Sequence, residues 1–401
     1  MTVAAHTPVG ESLGRANLRY AQVANFLGPT SGGLGAVVQA LGSEHVRRGG
    51  QRLLIGPGCS DQDVQNGTDR QVSISSPLLP GSGGVHRVLL ARAPVLQHLS
   101  DFRPDLLEIH DQTTLAWLAR SPRRADIPTV LFAHENLPMI AAETSRLPKR
   151  LVDGAVGWWT RRLMTRVDAV VCASAFAAGP FEDAGVTSVH RIAYGVDLEM
   201  FRPTPRRDIE PPWAPTSVRL IQVGRLHPEK GLSVALDTVA ALLAMGVEAE
   251  LIVVGAGSME ATLRERIARE RLPVQLLGHI ADRRRVAALT AAADIALALG
   301  PRETFGLSVL EAMAAGTPVV VSDRGASREL IVPGAGAAAA NGPETATAVR
   351  ELIGYPGARR TARRHAEQFS WASTFAAVHE LEAGLVDLHS SQRPFMKRSD
   401  T

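Results

Sequence analysis

Two carboxylates, Glu303 and Glu311, lie eight positions apart, with Thr304, Phe305, Gly306 and Leu307 between them at the start of an apolar, helix-forming run. A strand-like segment, residues 293–299, precedes this block, and a Val-rich one, residues 318–322, follows it. A helix beginning near Gly306 aims its unbonded N–H groups and positive dipole end at the preceding loop. Such a helix start is a ready anion site, and a diphosphate is its natural guest. Glu303 then stands just before the anion and Glu311 about one turn into the helix. Each can accept hydrogen bonds from hydroxyls that flank a diphosphate, and that pattern describes a nucleotide-sugar.

Upstream, Gly224-Arg225-Leu226-His227-Pro228-Glu229-Lys230-Gly231 follows an apolar strand. An arginine and a lysine five residues apart across a strand–loop–helix turn can converge on one diphosphate. The first offers bidentate hydrogen bonds, the second a mobile point charge. Both would stabilise a departing nucleoside diphosphate. No nearby Asp-x-Asp pattern offers a metal site, so the expectation is metal-independent chemistry with no cofactor beyond the donor itself.

Glu303 to Glu311, together with Gly224-Arg225 and Lys230-Gly231, resembles the Glu-x7-Glu signature of the family-4 retaining glycosyltransferases. These enzymes have the GT-B fold, in which two Rossmann-like, doubly wound α/β domains face an interdomain cleft. The resemblance implies that Glu303 contacts the transferred sugar and Glu311 the nucleotide ribose. It places the donor along Gly224 and Thr304 to Leu307, with Arg225 and Lys230 on the phosphates. His134, which ends an apolar strand, matches a family histidine near the reacting face of the sugar. Gly255-Ala256-Gly257 matches a tight turn close to the nucleotide, and His279 a segment bordering the base. Gly32, Gly33 and Gly35 match a loop over the donor phosphates and the acceptor. Retention of anomeric configuration, by a front-face route, also comes from the resemblance.

Other residues are singled out by their positions. His110 and Asp111 end a strand and are acceptor-side candidates. Ser174 begins a helix as its N-cap, and Asp197 caps a turn. The Gly255-x-Gly257 pair supplies only two of the three glycines of a dinucleotide fingerprint, so a structural turn is the preferred role.

The chain has 401 residues, 45% hydrophobic and 21% charged, with a net charge of +3. That length suits two domains of about 200 residues each. The basic excess is arginine-rich and clustered, which suits small anions or a membrane face; no nucleic-acid signature appears. Two cysteines, Cys59 and Cys172, give neither a disulfide framework nor metal spacing. No run is long enough to span a bilayer, and the expected location is cytoplasmic, peripheral to the inner face of the plasma membrane.

Short apolar runs alternate with helical stretches, the rhythm of stacked βα units. Strands are expected at 18–24, 52–55, 106–109, 129–133 and 169–172, then at 218–223, 249–254, 274–277, 295–299 and 319–322. A helix is expected over 36–48 and another over 350–388. The division reads as an extension over 1–17, an acceptor-side domain over 18–203, a Pro-rich linker over 204–216, a nucleotide-sugar domain over 217–370, and from 371 a helix crossing back to the first domain. Phe369-Ser370-Trp371 resembles the family's crossing turn.

The segment 146–166 combines basic residues with Trp158 and Trp159. Val152, Val156, Trp159, Leu163 and Val167 form one helical stripe. It reads either as a core-facing amphipathic helix or as an interfacial surface for anionic lipid. The phrase from Gln22 to Leu34, with Ala296 to Gly306, is similar to actinobacterial phosphatidylinositol mannoside mannosyltransferases. That similarity implies GDP-mannose as donor and a lipid-linked inositol mannoside as hydroxyl acceptor. The chain departs from the broader family with Gly300 in place of serine and with Gly325-Ala326 in place of two glycines. Alternatives are a glycosyltransferase of an antibiotic pathway using a UDP- or GDP-sugar, and a non-catalytic nucleotide-sugar-binding protein at the membrane.

Overall fold

The structure is a computed structural model that describes residues 17–28, 32–79, 86–120, 127–145, 147–204, 213–214 and 217–392. The N-terminal extension up to residue 16, residues 29–31, Arg146, most of the Pro-rich linker and the tail from 393 lie outside the described residues.

Apolar runs of four or five residues set the first sheet. It contains β1 (Arg19–Val23), β2 (Gln51–Gly58), β3 (Gln62–Asn66), β4 (Asp69–Ser75), β5 (Leu106–Ile109), β6 (Thr129–Ala133), β7 (Ala169–Cys172) and β8 (Val189–Arg191). Their order is β3-β4-β2-β1-β5-β6-β7-β8, with only β3 antiparallel to its neighbour. β5, β6 and β7 are buried at every position, as parallel strands covered on both faces require. Polar residues are buried in this sheet as well. Gln22 and Glu108 stand side by side in register on β1 and β5, both fully buried.

The second sheet is wholly parallel: β9 (Val218–Val223), β10 (Ala249–Val254), β11 (Val274–Gly278), β12 (Ile295–Ala298), β13 (Val319–Ser322) and β14 (Gly336–Ala339). Its order is β11-β10-β9-β12-β13-β14. The connections reverse direction between β1 and β5 in one sheet and between β9 and β12 in the other, and open α/β sheets bind ligands at such points.

The helices are α1 (Gly33–Arg47), α2 (Arg92–Phe102), α3 (Leu137–Thr144), α4 (Lys149–Met164), α5 (Ala175–Asp183), α6 (Leu232–Ala244), α7 (Glu260–Glu270), α8 (Arg283–Ala292), α9 (Leu307–Ala314), α10 (Gly342–Ile353), α11 (Ala358–Ala366) and α12 (Trp371–Gln392). Two expectations need correction. α1 begins at Gly33, three residues early, because Gly32 takes φ +62° as its N-cap; Gly33 and Gly35 are therefore helical rather than loop residues. The single helix read over 350–388 is three, since Gly357 at φ +82° caps α11 and a break at Phe369-Ser370 precedes α12. The β3–β4 hairpin, β8 and β14 gave no strand signal: β3 is exposed throughout, and β14 is Gly-Ala-Ala-Ala.

One continuous cluster of buried side chains runs from Phe132 and Val171 through Tyr194 and Phe201 to Ile221, Phe305 and Val378 of α12. The start of α12 is tied to the strand-like segment after β8. Val196 N donates to Phe369 O at 3.0 Å and Thr374 Oγ1 to Ala193 O at 2.8 Å. Further on, His389 Nε2 lies 3.4 Å from Asp168 Oδ1. Arg363 of α11 donates to the carbonyls of Leu198, Phe201 and Ala314 at 2.8–3.2 Å. It thereby pins the segment entering the linker to the end of α9.

Gly195 permits this docking, because a Cβ there would sit 2.2 Å from Trp371 N. Gly195→Ala should lower stability by about 2 kcal/mol or more, since backbone rather than a side-chain tip must move. Gly154→Ala, in α4 where nothing lies within 4 Å, should raise it by about 0.5–1 kcal/mol. Thermal unfolding of the two variants checks both signs.

Candidate active site

The loops after β9 and β12 press backbone against backbone. A Cβ on Gly231 (φ +67°) would meet Leu299 O at 2.2 Å, and one on Gly300 would meet Glu229 O at 2.7 Å. A glycine at 300 is thus what this close approach needs. A short 3₁₀ turn, Pro228–Lys230, carries Lys230 to the contact, and Gln222 Nε2 holds the Lys230 carbonyl at 2.7 Å. Lys230 Nζ then donates to Glu303 Oε2 at 2.7 Å, with both side chains about a quarter exposed. Gln222, Lys230, Gly300, Glu303 and Ser308 line a small recess there.

α9 starts directly beyond. Gly306 caps it at φ +105°, and its first intrahelical bonds run from Val309 and Leu310 to Gly306 O. The N–H groups of Leu307 and Ser308 precede those bonds and point out of the helix end. Glu311, one turn in, accepts from Arg283 Nη2 at 2.6 Å. Burial pushes its carboxyl up to about 7, against the opposing pull of Arg283. The Gly325-Ala326 step packs beneath the same loop, with Ala326 N donating to Glu303 O at 2.7 Å.

Arg225 and Lys230 have different partners. Its Nη2 donates to Glu229 Oε1 at 2.6 Å and its Nη1 to His86 Nε2, also at 2.6 Å, across from the first half of the chain. Burial and the Arg225 charge depress the His86 pKa, so the ring stays a neutral acceptor. Glu229 also faces Arg302 at 3.5 Å. Glu135 belongs to the same electrostatic neighbourhood, raised by the Glu229 carboxylate and lowered by Arg225 and Lys230. Sequence reasoning did not single out His86, Glu135, Glu229 or Arg283. The only local signal was the clustering of charge around Arg225 and in Arg283-Arg284-Arg285.

From the first sheet comes His134, at the end of β6. Thr304 Oγ1 donates to the His134 carbonyl at 2.8 Å, and Ser174 Oγ donates to Thr304 O at 2.7 Å. Ser174 is also the N-cap of α5, accepting from Ala177 N at 3.0 Å. Beside it, Glu329 takes the N–H groups of Ala175 and Phe176 at 2.8 Å each, a carboxylate from one half sealing a helix start of the other. A Cβ on Gly33 would lie 3.2 Å from Leu307 Cδ1, so α1 also begins against α9. Phe305 is buried edge-on to Tyr194, ring centroids 5.3 Å apart.

Other expected site residues have their own local partners. His110 and Asp111, the acceptor-side candidates, are buried and held by neighbours of the first sheet. His110 lies between Glu108 and His134, and Asp111 accepts from Asn25 and the Thr113 N–H at 3.1 and 2.7 Å. Gly257 lies against Leu226 O, 2.5 Å from where its Cβ would be, as a structural turn needs. Gly224 N bonds Val254 O at 2.9 Å, and His279 is exposed just past β11. Asp197 caps a turn through Glu199 N and Met200 N at 3.1 and 2.9 Å. Among the described residues, His45, Glu108 and Glu382 bring ligand atoms within 4.8 Å of one another. This buried group lies behind the strand ends of the first sheet, and its His45 Nε2 is already bound to Glu108 at 2.6 Å.

Known proteins resemble this chain in sequence and in fold. A family model described as Glycosyltransferase Family 4 matches residues 31–200, and one described as Glycosyl transferases group 1 matches residues 206–368. The chain is 39% identical over 368 residues to a GDP-mannose-dependent alpha-(1-6)-phosphatidylinositol dimannoside mannosyltransferase of Mycobacterium tuberculosis, covering 90% of this chain and 95% of that protein. It is 29% identical to a GDP-mannose-dependent alpha-mannosyltransferase of the same species over 77% of this chain and 80% of the relative. Among solved structures, sucrose-phosphate synthase from Thermosynechococcus elongatus superposes with TM-score 0.76 at 18% identity, covering 93% of this chain and all of that one. The lipopolysaccharide glycosyltransferase WaaG gives 0.67 at 17%, covering 92% and 100%. The fold is GT-B.

Glu311 supplies a pH test of the site. Its folded pKa lies above that of an unfolded glutamate, so the stability it contributes is fully present below about pH 4 and lost as pH rises through about 7. Glu311→Gln should therefore be stabilising relative to the parent at pH 8, by on the order of 2 kcal/mol, and near neutral at pH 4. Denaturant midpoints at the two pH values check this.

Proposed function

The chain belongs to the family-4, group 1 glycosyltransferases, and from that premise we propose that it moves mannose from GDP-mannose to a hydroxyl of a lipid-linked inositol mannoside, with retention and without a metal. The observation that supports the site assignment is the meeting of Lys230, Glu303 and the start of α9 at the switch point of the second sheet. The 39% identity to the dimannoside mannosyltransferase over nearly the whole chain supports the donor and the acceptor class. In this reading residues 217–370 hold the donor and residues 18–203 the acceptor side.

The diphosphate lies against the free N–H groups of α9. Lys230 turns from Glu303 to a phosphate, and Arg225 exchanges Glu229 for another. An exposed ion pair contributes only about 0–1 kcal/mol, so a diphosphate with more charge at a helix start displaces it readily. Glu303, once released, accepts from hydroxyls of the sugar and Glu311 from those of the ribose. His134 meets the sugar from the opposite wall. In the reaction the bond between the anomeric carbon and the phosphate oxygen breaks, and its electron pair stays on the phosphate. The acceptor oxygen bonds the same face of that carbon, and its proton passes to the departing phosphate oxygen. Lys230, Arg225 and the α9 dipole stabilise the charge that develops there.

α4 supplies a surface for the lipid. Trp159 and Leu163 pack into the core of the first half, while Leu151 and Trp158, seven positions apart on the outer face, are 62% and 58% exposed. Arg150, Arg161, Arg162 and Arg166 are exposed around them. Exposed aromatic and aliphatic groups ringed by arginine suit the headgroup region of an anionic bilayer. No helix among the described residues is long and apolar enough to cross a membrane.

Release of nucleoside diphosphate from GDP-mannose and from a panel of UDP-sugars tests the donor: GDP-mannose should be turned over, and turnover of a UDP-sugar alone would overturn the mannosyl reading. Lys230→Met and Glu303→Gln should each lower kcat roughly 100-fold or more, whereas a non-catalytic binder would lose affinity only. For the membrane surface, sedimentation with phosphatidylinositol-containing and neutral vesicles is decisive. Binding should favour the anionic vesicles and fall in the Leu151→Ser, Trp158→Ser double variant; equal binding to both vesicle types would remove the surface from the proposal.

A further inference from the structure

α8 opens with residues that its own helix disfavours. Asp282 caps it, accepting from Arg284 N at 2.9 Å, and Arg283, Arg284 and Arg285 fill the first turn. A helix start carries positive partial charge, so cations are unfavourable there and acidic residues favourable. A local conflict of this kind points to a task elsewhere in the fold. The reaction proposed for the site uses none of these arginines. For Arg283 the structure shows what the guanidinium reaches. Its Nη2 donates to Glu311 Oε1 at 2.6 Å, and its Cζ lies 5.6 Å from the centroid of the Phe201 ring.

The surroundings of this contact are fixed. Phe201 is buried, and Arg363 holds its carbonyl at 2.9 Å. α8 is joined to the chain leaving α9 where Thr317 Oγ1 donates to Thr290 O at 2.7 Å, with both threonines buried. The far end of α8 is held by Arg359, which donates to the carbonyls of Ala291 and Ala293 at 2.5 and 2.8 Å. The side chain of Arg283 is 52% exposed and that of Glu311 21%. Oε1 of Glu311 is therefore taken, whereas Oε2 has no hydrogen bond from the described residues. A carboxylate accepts at both oxygens, so Oε2 is the one left for a ligand. Burial and Asp197 push the Glu311 carboxyl up and Arg283 pulls it down, so the arginine favours the ionised acceptor.

We propose that Arg283 is a positioning residue for the donor: it clamps one oxygen of Glu311 so that the other accepts the ribose hydroxyls, and it thereby sets the preference for a ribonucleotide. The inference rests on the reading that Glu311 meets the ribose. Without the clamp the Glu311 side chain is free to rotate, and ordering it weakens binding. With the clamp the carboxylate is set in charge and direction before the nucleotide arrives, as a binding constellation requires. Arg283 itself does not touch the nucleotide, because its guanidinium is taken up between Glu311 and the Phe201 ring.

Calorimetric titration with GDP and with dideoxy-GDP, which lacks both ribose hydroxyls, isolates this contact, because base and diphosphate are the same in the two. The parent should bind GDP roughly 10–100-fold more tightly than the analogue, as hydrogen bonds to a charged group imply. Glu311→Ala should bring that ratio to within about threefold of unity. Arg283→Met keeps an unbranched side chain without the donor. It should lower the ratio at least about fivefold and change the Kd of dideoxy-GDP less than about threefold. A ratio that falls in Glu311→Ala and survives in Arg283→Met overturns the positioning role and leaves the ribose contact standing. Equal weakening of both nucleotides in Arg283→Met overturns it as well, since Arg283 would then be a ligand of the diphosphate. A parent with no preference, or a preference kept in Glu311→Ala, overturns the ribose reading of Glu311 and the inference with it. No binding of either nucleotide removes the GDP donor, and the clamp falls with it.

Discussion

The site depends on one constraint: two loops, after β9 and β12, meet with no side chain between them. Gly231 and Gly300 supply that contact, and any Cβ at either position would fall within 2.7 Å of a carbonyl oxygen opposite. Only because the backbones touch do Lys230 and Glu303 reach hydrogen-bond distance. The pair itself contributes little stability, since both side chains are partly solvated. Its consequence is positional, because it holds a cation and a carboxylate at the mouth of α9, where the helix end already favours negative charge.

A second set of contacts holds the two halves in register with this mouth. Thr304 bonds the His134 carbonyl through its hydroxyl and receives Ser174 on its own carbonyl. Glu329 takes two N–H groups at the start of α5. Each bond is worth about 1 kcal/mol net, more for the charged one. They join the loop that carries Glu303 to the strand ends that carry His134, so the two walls of the cleft are positioned by the same few atoms. α12, tied to the segment around Gly195, adds the apolar contribution.

The first sheet accepts an unusual cost for its polar spine. Burying a charge without partners costs several kcal/mol, and Glu108 avoids this only by taking contacts from Gln22, His45 and His110 together. Arg52 is similarly enclosed, held by Gln22, Gln39 and the Val38 carbonyl. An apolar strand pair would be simpler to fold.

Much of the fold was legible in the chain. β5, β6, β7, β9, β10 and β13 have the bounds that their largely apolar runs imply, because a parallel strand covered on both faces is apolar along most of its length. The same logic failed where no burial marks the strand, as in β3, or where the residues are too small to show a preference, as in β14. Local chemistry likewise marked the helix start at Gly306, the cap at Ser174 and the two glutamates eight positions apart, since these signals need only neighbours in sequence. What folding alone decided is who partners whom. Lys230 finds Glu303 across 73 positions, Arg225 finds His86 across 139, and Thr304 finds His134 across 170. Hydrogen bonds and ion pairs are short-ranged and indifferent to sequence separation. The residue types foretell that such bonds will form, and only the packing of the two sheets settles which atoms come within 3 Å.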